Sequence, residues 1–152
     1  MARFNRIIFL DEDNTRLSPL ASVLFKKKIR AASIDGLNIA SRGNIVLFPE
    51  PVNQKVVEIA KANDADLSSY AALALTEEDF SEKTLILAMD NGSKTVAYDR
   101  FSSAMNVHTL KEYLGSSGDL KLPLGGTLEE YETVVEILKG LLDNLVLKFA
   151  EE

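Results

Sequence analysis

The chain has 152 residues, and its 23 acidic side chains against 17 basic ones leave a formal charge of −6. With 46% hydrophobic and 26% charged residues it has a globular balance, which excludes a disordered chain, and the length predicts one domain over residues 1–152. Cysteine is absent, which excludes disulfides, thiolate metal sites and every cysteine-nucleophile mechanism.

The acidic balance argues against nucleic acid as a partner, because phosphate neutralisation needs a basic stripe. No apolar stretch reaches the roughly 20 residues of a membrane span. The run Ile7–Leu10 after Arg3 and Arg6 is too short for a signal peptide. A cytoplasmic protein without membrane contact is expected. The basic run Lys26-Lys27-Lys28 with Arg30 falls at a helix end, where cations are favourable without any partner, and reads as a solvated face.

In chain order, residues 6–10 form a short buried strand. Ser18 and Pro19 open a helix, Ser18 as the cap and Pro19 at the first helical position, and it ends near Ile34, before Asp35-Gly36. Residues 37–41 are a second strand. Residues 53–61 are helical, with Val56, Val57 and Ala60 on one side, and Thr76-Glu77-Glu78-Asp79 is a short capped helix. Thr84–Met89 is a third strand, continuously apolar as for a strand covered on both faces. Residues 106–109 are a weaker fourth. Thr127 and Glu130 then make a capping box. Behind it Leu128, Tyr131, Val135, Leu138, Leu142, Leu145 and Phe149 recur at spacings of three and four, a long amphipathic helix. Strands alternating with helices predict an α/β fold, a four-stranded parallel sheet flanked by helices. Ligands of such folds bind at the carboxyl ends of the strands, near the switch in strand order, so the loop after the first strand is the first candidate site.

That loop reads Asp11-Glu12-Asp13-Asn14-Thr15-Arg16-Leu17-Ser18. Asp11, Asp13 and Thr15 match the Asp-x-Asp-x-Thr signature of the haloacid-dehalogenase superfamily. That resemblance implies an Mg²⁺-dependent phosphatase, with Asp11 as nucleophile and Asp13 as acid/base. Ser41, Asp90 and either Lys55 or Lys94 would take the remaining places. Asp90 is followed by Asn91-Gly92, however, so the downstream acid pair is missing.

A second resemblance covers nearly the whole chain. The apolar strand, then Asn14, Thr15, Ser18, Pro19 and Ala21, resembles the low-molecular-weight protein tyrosine phosphatases, whose loop runs Cys, five residues, Arg, Ser-Pro-x-Ala. Ser41-Arg42-Gly43 looks like the end of that family's second strand, and Phe48-Pro49-Glu50-Pro51-Val52-Asn53 like the loop before its second helix. Asp66-Leu67-Ser68 with the Ala-Leu stretch behind it fits a further helix. Leu85–Asp90 is similar to the third strand, and Pro123-x-Gly125-Gly126 before Thr127 to the loop before the last helix. The resemblance implies that family's fold.

The departures fall on the chemistry. By this resemblance the nucleophilic Cys corresponds to Asp11, the second loop Cys to Arg16, the phosphate-binding Arg to Leu17, the general-acid Asp to Leu122 and the substrate-framing Tyr to Leu124. The expectation is a catalytically inactive relative, a pseudophosphatase that binds an unknown protein partner or small ligand without hydrolysing it. No cofactor is expected, and Mg²⁺ on Asp11 and Asp13 belongs to the dehalogenase alternative. Arsenate reduction, known among relatives of the fold, needs thiols and is excluded. Asp11, Glu12 and Asp13 read as loop acids satisfying helix N–H groups, with a divalent-cation site or a catalytic aspartate as open alternatives. The loop is therefore expected to be closed by its own carboxylates, with Arg16 turned to solvent and Leu17 packed inward. Asn14 reads as a structural brace and Gly125-Gly126 as a turn. Tyr70, Tyr98, Tyr113 and Tyr131 read as packing residues, and His108, the only histidine, as no metal ligand.

Overall fold

The computed structural model describes residues 3–151. Among these, four strands form one parallel sheet in the order β2-β1-β3-β4. They are β1 (Arg6–Asp11), β2 (Asn38–Gly43), β3 (Thr84–Ala88) and β4 (Val107–Thr109). Period-two alternation splits β1 between two cores. Ile7 and Phe9 face a large apolar cluster, and Ile8 and Leu10 face a smaller one on the other side. β3 is buried throughout, as its continuous apolar run predicts.

The large cluster lies beneath α1 (Leu17–Ala31), α2 (Gln54–Ala62) and α5 (Leu128–Ala150), which also pack on one another. The stripe of α5 buries Tyr131, Val135, Leu138, Leu142, Leu145 and Phe149. Leu128, the first residue of the helix, stays 38% exposed. Thr127 and Glu130 form the expected capping box. The opposite face carries α3 (Asn91–Arg100), and the short α4 (Leu110–Tyr113) follows β4 directly. Among the described residues, no helix is long and apolar enough to cross a membrane.

Several boundaries differ from the sequence expectation. α1 starts at Leu17 and ends at Ala31, short of Ile34, so Ser18 and Pro19 lie inside its first turn rather than opening it. Its N-cap position is Arg16, whose side chain makes no capping bond. α3 had no counterpart in the sequence reading. Its side chains are largely polar, so no apolar stripe announces it, and its signal is Asp90, whose carboxylate accepts from the Ser93 N–H at the N-cap. Thr76–Asp79 is a single capped 3-10 turn. The stretch after Asp66-Leu67-Ser68 is not a helix. It runs extended because its backbone is claimed elsewhere: Ala72 N–H donates to Glu50 O, and Gly43 pairs with both Leu73 and Leu75. The basic run is not simply solvated either, since Lys27 donates to the carbonyls of Asn63 and Asp64, and Lys28 pairs with Asp143 on α5.

Candidate functional site

α1 connects β1 to β2 on one side, and β3 lies on the other side of β1, so strand order reverses between β1 and β3. A cleft of about 430 Å³ opens at the carboxyl ends of these two strands, where α/β folds bind ligands. β1 delivers Asp11 to its floor, residues 12–16 form the loop, and α1 leaves with its N-terminus toward the cleft. Neighbouring segments fix the loop backbone. Asn44 N–H donates to Asp11 O, Ile45 N–H to Glu12 O and Asn53 N–H to Thr15 O. Gly43 is required by close approach, since a Cβ there would lie 2.6 Å from the Asp13 carbonyl carbon.

The carboxylate of Asp11 fills the loop. Oδ1 accepts from Asn14 N–H at 2.8 Å and from the Ser18 hydroxyl at 2.7 Å, and Oδ2 accepts from Ser18 N–H at 2.9 Å. Asp11 is thus the acceptor for the first turn of α1, seven residues upstream of Ser18. The same Ser18 that was expected to cap the helix donates to Asp11 instead. Burial pushes the Asp11 carboxyl up to about 6, against the opposing pull of the three bonds from Ser18 and Asn14, and the nearby Asp13 charge adds a smaller push in the same direction. Asp13 turns its own carboxylate back on the loop, accepting from the Thr15 hydroxyl at 2.7 Å and from Thr15 N–H. The expectation of a loop closed by its own carboxylates holds for both residues. Glu12 is exposed.

Behind the loop lies a buried network centred on Asn14. Its amide donates to Ser18 Oγ at 2.8 Å and Ser41 Oγ at 3.0 Å, and its carbonyl accepts from Tyr70 OH and Leu73 N–H at 2.9 Å each. Ser41 and Tyr70 hydroxyls lie 2.6 Å apart. Asn14 takes a positive φ of 62°, a conformation that Asn tolerates better than most side chains. Its role is structural, as expected, but through its side chain as much as its backbone. Tyr70 is a correction: it belongs to this network rather than to a helix. Nothing in its surroundings in the sequence signals that.

Leu17 is buried against the large core and also lines the cleft. Arg16 does not turn away to solvent as expected. It is partly buried and lines the cleft, because the helix begins one residue later than its own position and the loop, not helical rotation, sets its direction. Leu122 is buried in the cleft wall on a segment held by Leu120 N–H to Met89 O, whereas Leu124 is 88% exposed at the mouth. Gly125 turns the chain at a positive φ of 65° before α5. Asn44 and Ile45, on the opposite wall, were missed by the sequence reading.

The parts of the dehalogenase reading do not converge. Ser41 bonds to Asn14 and Tyr70, Lys94 pairs with Glu112, and Lys55 lies over the Tyr131 ring. Asp90 does line the cleft, but its carboxylate caps α3. Among the described residues, no group of three or more His, Cys, Asp and Glu is arranged to hold a metal ion. His108 lies on β4 beside Glu112, with burial lowering its pKa.

A four-stranded parallel sheet with a backbone loop wrapped at the end of β1, leading into a helix N-terminus, is an arrangement of the kind that holds anions in α/β proteins. The sequence model of the low molecular weight phosphotyrosine protein phosphatases matches residues 6–152, and the chain belongs to this family. It is 30% identical to a protein-arginine-phosphatase of Geobacillus stearothermophilus over 151 residues, spanning 97% of both chains. It is 29% identical to the low molecular weight protein-tyrosine-phosphatase PtpB of Staphylococcus epidermidis, over 94% of this chain and 98% of the other. The crystal structure of a low molecular weight protein tyrosine phosphatase from T. tengcongensis superposes with a TM-score of 0.86 at 32% identity, covering 94% of this chain and 98% of that one. The family assignment leaves the dehalogenase alternative and its Mg²⁺ without support.

Proposed function

We propose that this chain is a catalytically inactive member of its family, a cytoplasmic pseudophosphatase that binds a protein partner or small ligand without turning over phosphate. The observation that carries this reading is the Asp11 carboxylate, which takes two loop N–H groups and the Ser18 hydroxyl for itself. In the family resemblance this is the position of the nucleophilic cysteine. A carboxylate there is an internal anion in the place where a phosphate would be cradled.

Two further positions support the reading. Leu17, at the place of the phosphate-clamping arginine, contributes no donor and packs into the core. Leu122, at the place of the general acid, contributes no proton. Loss of a general acid alone costs roughly 10²–10⁴-fold in rate, and a bidentate guanidinium is what would hold an incoming phosphate. Two carboxylates also oppose an entering dianion, each by about 4 kcal/mol per unit-charge pair at 4 Å and an effective dielectric of 20. The relatives named as arginine and tyrosine phosphatases act on modified protein side chains, which favours a protein segment as the occupant of this cleft too.

The test is an aryl-phosphate assay on the purified chain, with and without Mg²⁺. No turnover is expected in either condition. Turnover that survives purification and vanishes in Asp11→Asn would sink the proposal.

A further inference from the structure

The long helix α5 carries a second stripe that its own core does not use. The core stripe runs through Tyr131, Val135, Leu138, Leu142, Leu145 and Phe149. On the solvent side Ile137 is 48% and Leu147 63% exposed, and the half-buried Val134 and Leu141 border Ile137. Ile137, Gly140, Asn144 and Leu147 follow one another at three and four residues, so they share one face. A surface helix packed on a single core carries charged or polar residues on that side.

Gly140 stands at the centre of this face. It lies in the middle of a helix, where glycine is weaker than alanine. A Cβ at Gly140 would meet nothing within 4 Å, so the packing of the chain itself does not call for a glycine. Bare backbone at this point lets the axis of another helix come close.

The charges of α5 are sorted along its length. Residues 128–138 hold Glu129, Glu130, Glu132 and Glu136 and no cation. The helix dipole favours Glu129 and Glu130 in the first turn, but its effect fades before Glu132 and Glu136. Residues 139–150 hold Lys139, Lys148 and one acid, Asp143, which Lys28 of α1 neutralises at 2.5 Å. Lys26 and Arg30, exposed on the same end of α1, add to the positive side.

We infer that α5 pairs with α5 of a second copy of this chain, antiparallel and two-fold symmetric, with the axis passing near Gly140. The acidic first half of each helix then faces the basic second half of the other. Glu132 and Glu136 lie toward Lys139 and the end of α1, and Glu130 toward Lys148. A parallel pair would instead set the four glutamates of one copy against the four of the other. Ile137 and Leu147 become covered, and a two-fold pair is the commonest closed assembly. The 23 residues of α5 give a contact about 35 Å long and about 12 Å wide. That is about 400 Å² per copy before α1 adds its share, which places the association in the weak, transient class. Because α5 follows Leu124 at the cleft mouth and the turn at Gly125, the pair leaves the two clefts at opposite ends and open. The pairing is independent of turnover at the loop.

Sedimentation equilibrium of the full chain, from micromolar to millimolar, is expected to show a reversible monomer–dimer equilibrium. Ile137→Glu combined with Leu147→Glu should weaken the dimer at least ~10-fold, because like charges then meet across it. Gly140→Leu should raise the thermal midpoint of the monomer, since leucine is the better helix former, and should weaken the dimer by blocking the close approach. The chain has no cysteine, so one introduced thiol reports one position. Under air oxidation Gly140→Cys is expected to give a disulfide-linked dimer. Leu147→Cys, roughly 20 Å from its counterpart in the antiparallel pair, is expected to stay unlinked. A chain that remains monomeric at every concentration overturns the inference, as does a dimer that Ile137→Glu with Leu147→Glu or Gly140→Leu leaves unchanged. Linkage of Leu147→Cys without linkage of Gly140→Cys overturns the antiparallel arrangement.

Discussion

The back and the front of the loop are built on opposite principles. At the back, Asn14, Ser18 and Ser41 are buried and joined to one another and to the half-buried Tyr70, and the four hydrogen-bonding positions of the Asn14 amide are all used. At the front, Glu12 is open to solvent, Asn44 Oδ1 is unpaired and Leu124 is almost fully exposed. Asp11 joins the two halves, with its oxygens bound into the loop and its residue forming part of the cleft floor. The difference teaches that one loop can be fixed from behind by a closed network while its front stays open. The backbone curls around an anion, and that anion is a side chain of the protein, the Asp11 carboxylate. The back is therefore expected to govern stability and the front to govern what binds.

The largest effect should come from rebuilding the front. Asp11→Cys alone is expected to give no aryl-phosphate hydrolysis, because Leu17 supplies no bidentate clamp for the phosphate and Leu122 no proton for the leaving group. Adding Leu17→Arg and Leu122→Asp supplies the clamp and the acid, and the triple variant is expected to show weak turnover, with the acid alone contributing roughly 10²–10⁴-fold. Initial rates for the single and triple variants, read side by side, check this. Substantial activity from Asp11→Cys alone would mean that the anion site is misplaced.

Next comes the back. Asn14→Ala removes the partners of Ser18, Ser41, Tyr70 and the Leu73 N–H together, and puts alanine at φ 62°. Buried groups left unpaired, added to the backbone penalty, predict a loss of about 3–4 kcal/mol. Urea denaturation measures it. A loss under about 1 kcal/mol would show that the network is not what holds the loop.

Much of the fold was legible because its signals are local. The apolar run of β3, the capping box at Thr127 and the three-four stripe of α5 each carry their own periodicity, and the structure reproduces them. α3 was not legible, since its stability comes from packing on the sheet rather than from a stripe of its own. At the site, the closure of the loop by Asp11 and Asp13 followed from charge and from the need of helix N–H groups for acceptors. The details that failed are those set by distant chain. Ser18 looks like a cap until Asp11, seven residues earlier, is seen to accept from it. Residues 71–75 look helical until Gly43 and Glu50 claim their backbone. Tyr70, Asn44 and the close approach at Gly43 depend on tertiary contacts that no local pattern encodes.

A third prediction concerns the residue that joins the halves. Asp11 has its carboxyl raised from 3.8 to about 6 in the folded chain. Between those values the native state holds a proton that the unfolded state has released, so this group's contribution to stability is fully present below the lower value and is lost as pH rises through the upper one. The stability of the wild type minus that of Asp11→Asn should therefore fall by roughly 2–3 kcal/mol between pH 4 and pH 7. Chemical denaturation of both proteins across that range gives the difference directly. A difference that rises with pH would mean that the three hydrogen bonds outweigh burial and that the carboxyl is held low.

The smallest stability effect belongs to the mouth of the cleft, and it separates the two halves most cleanly. Leu124 is 88% exposed, on the segment between Leu122 and the turn at Gly125. Removing an apolar side chain costs stability in proportion to the area it hides from water, and Leu124 hides little. Leu124→Ser is therefore expected to leave the denaturation midpoint within about 0.5 kcal/mol of wild type. Leu122, two residues earlier, is buried in the cleft wall, so Leu122→Ser should lose about 2 kcal/mol or more, from lost burial and an added hydroxyl. Side-by-side urea curves for the two variants measure the contrast. If Leu124→Ser destabilised the chain as much as Leu122→Ser, the exposed rim would be packing against the protein's own surface. It would then not be free to receive a partner, and the division between a structural back and a binding front would fail at its outermost residue.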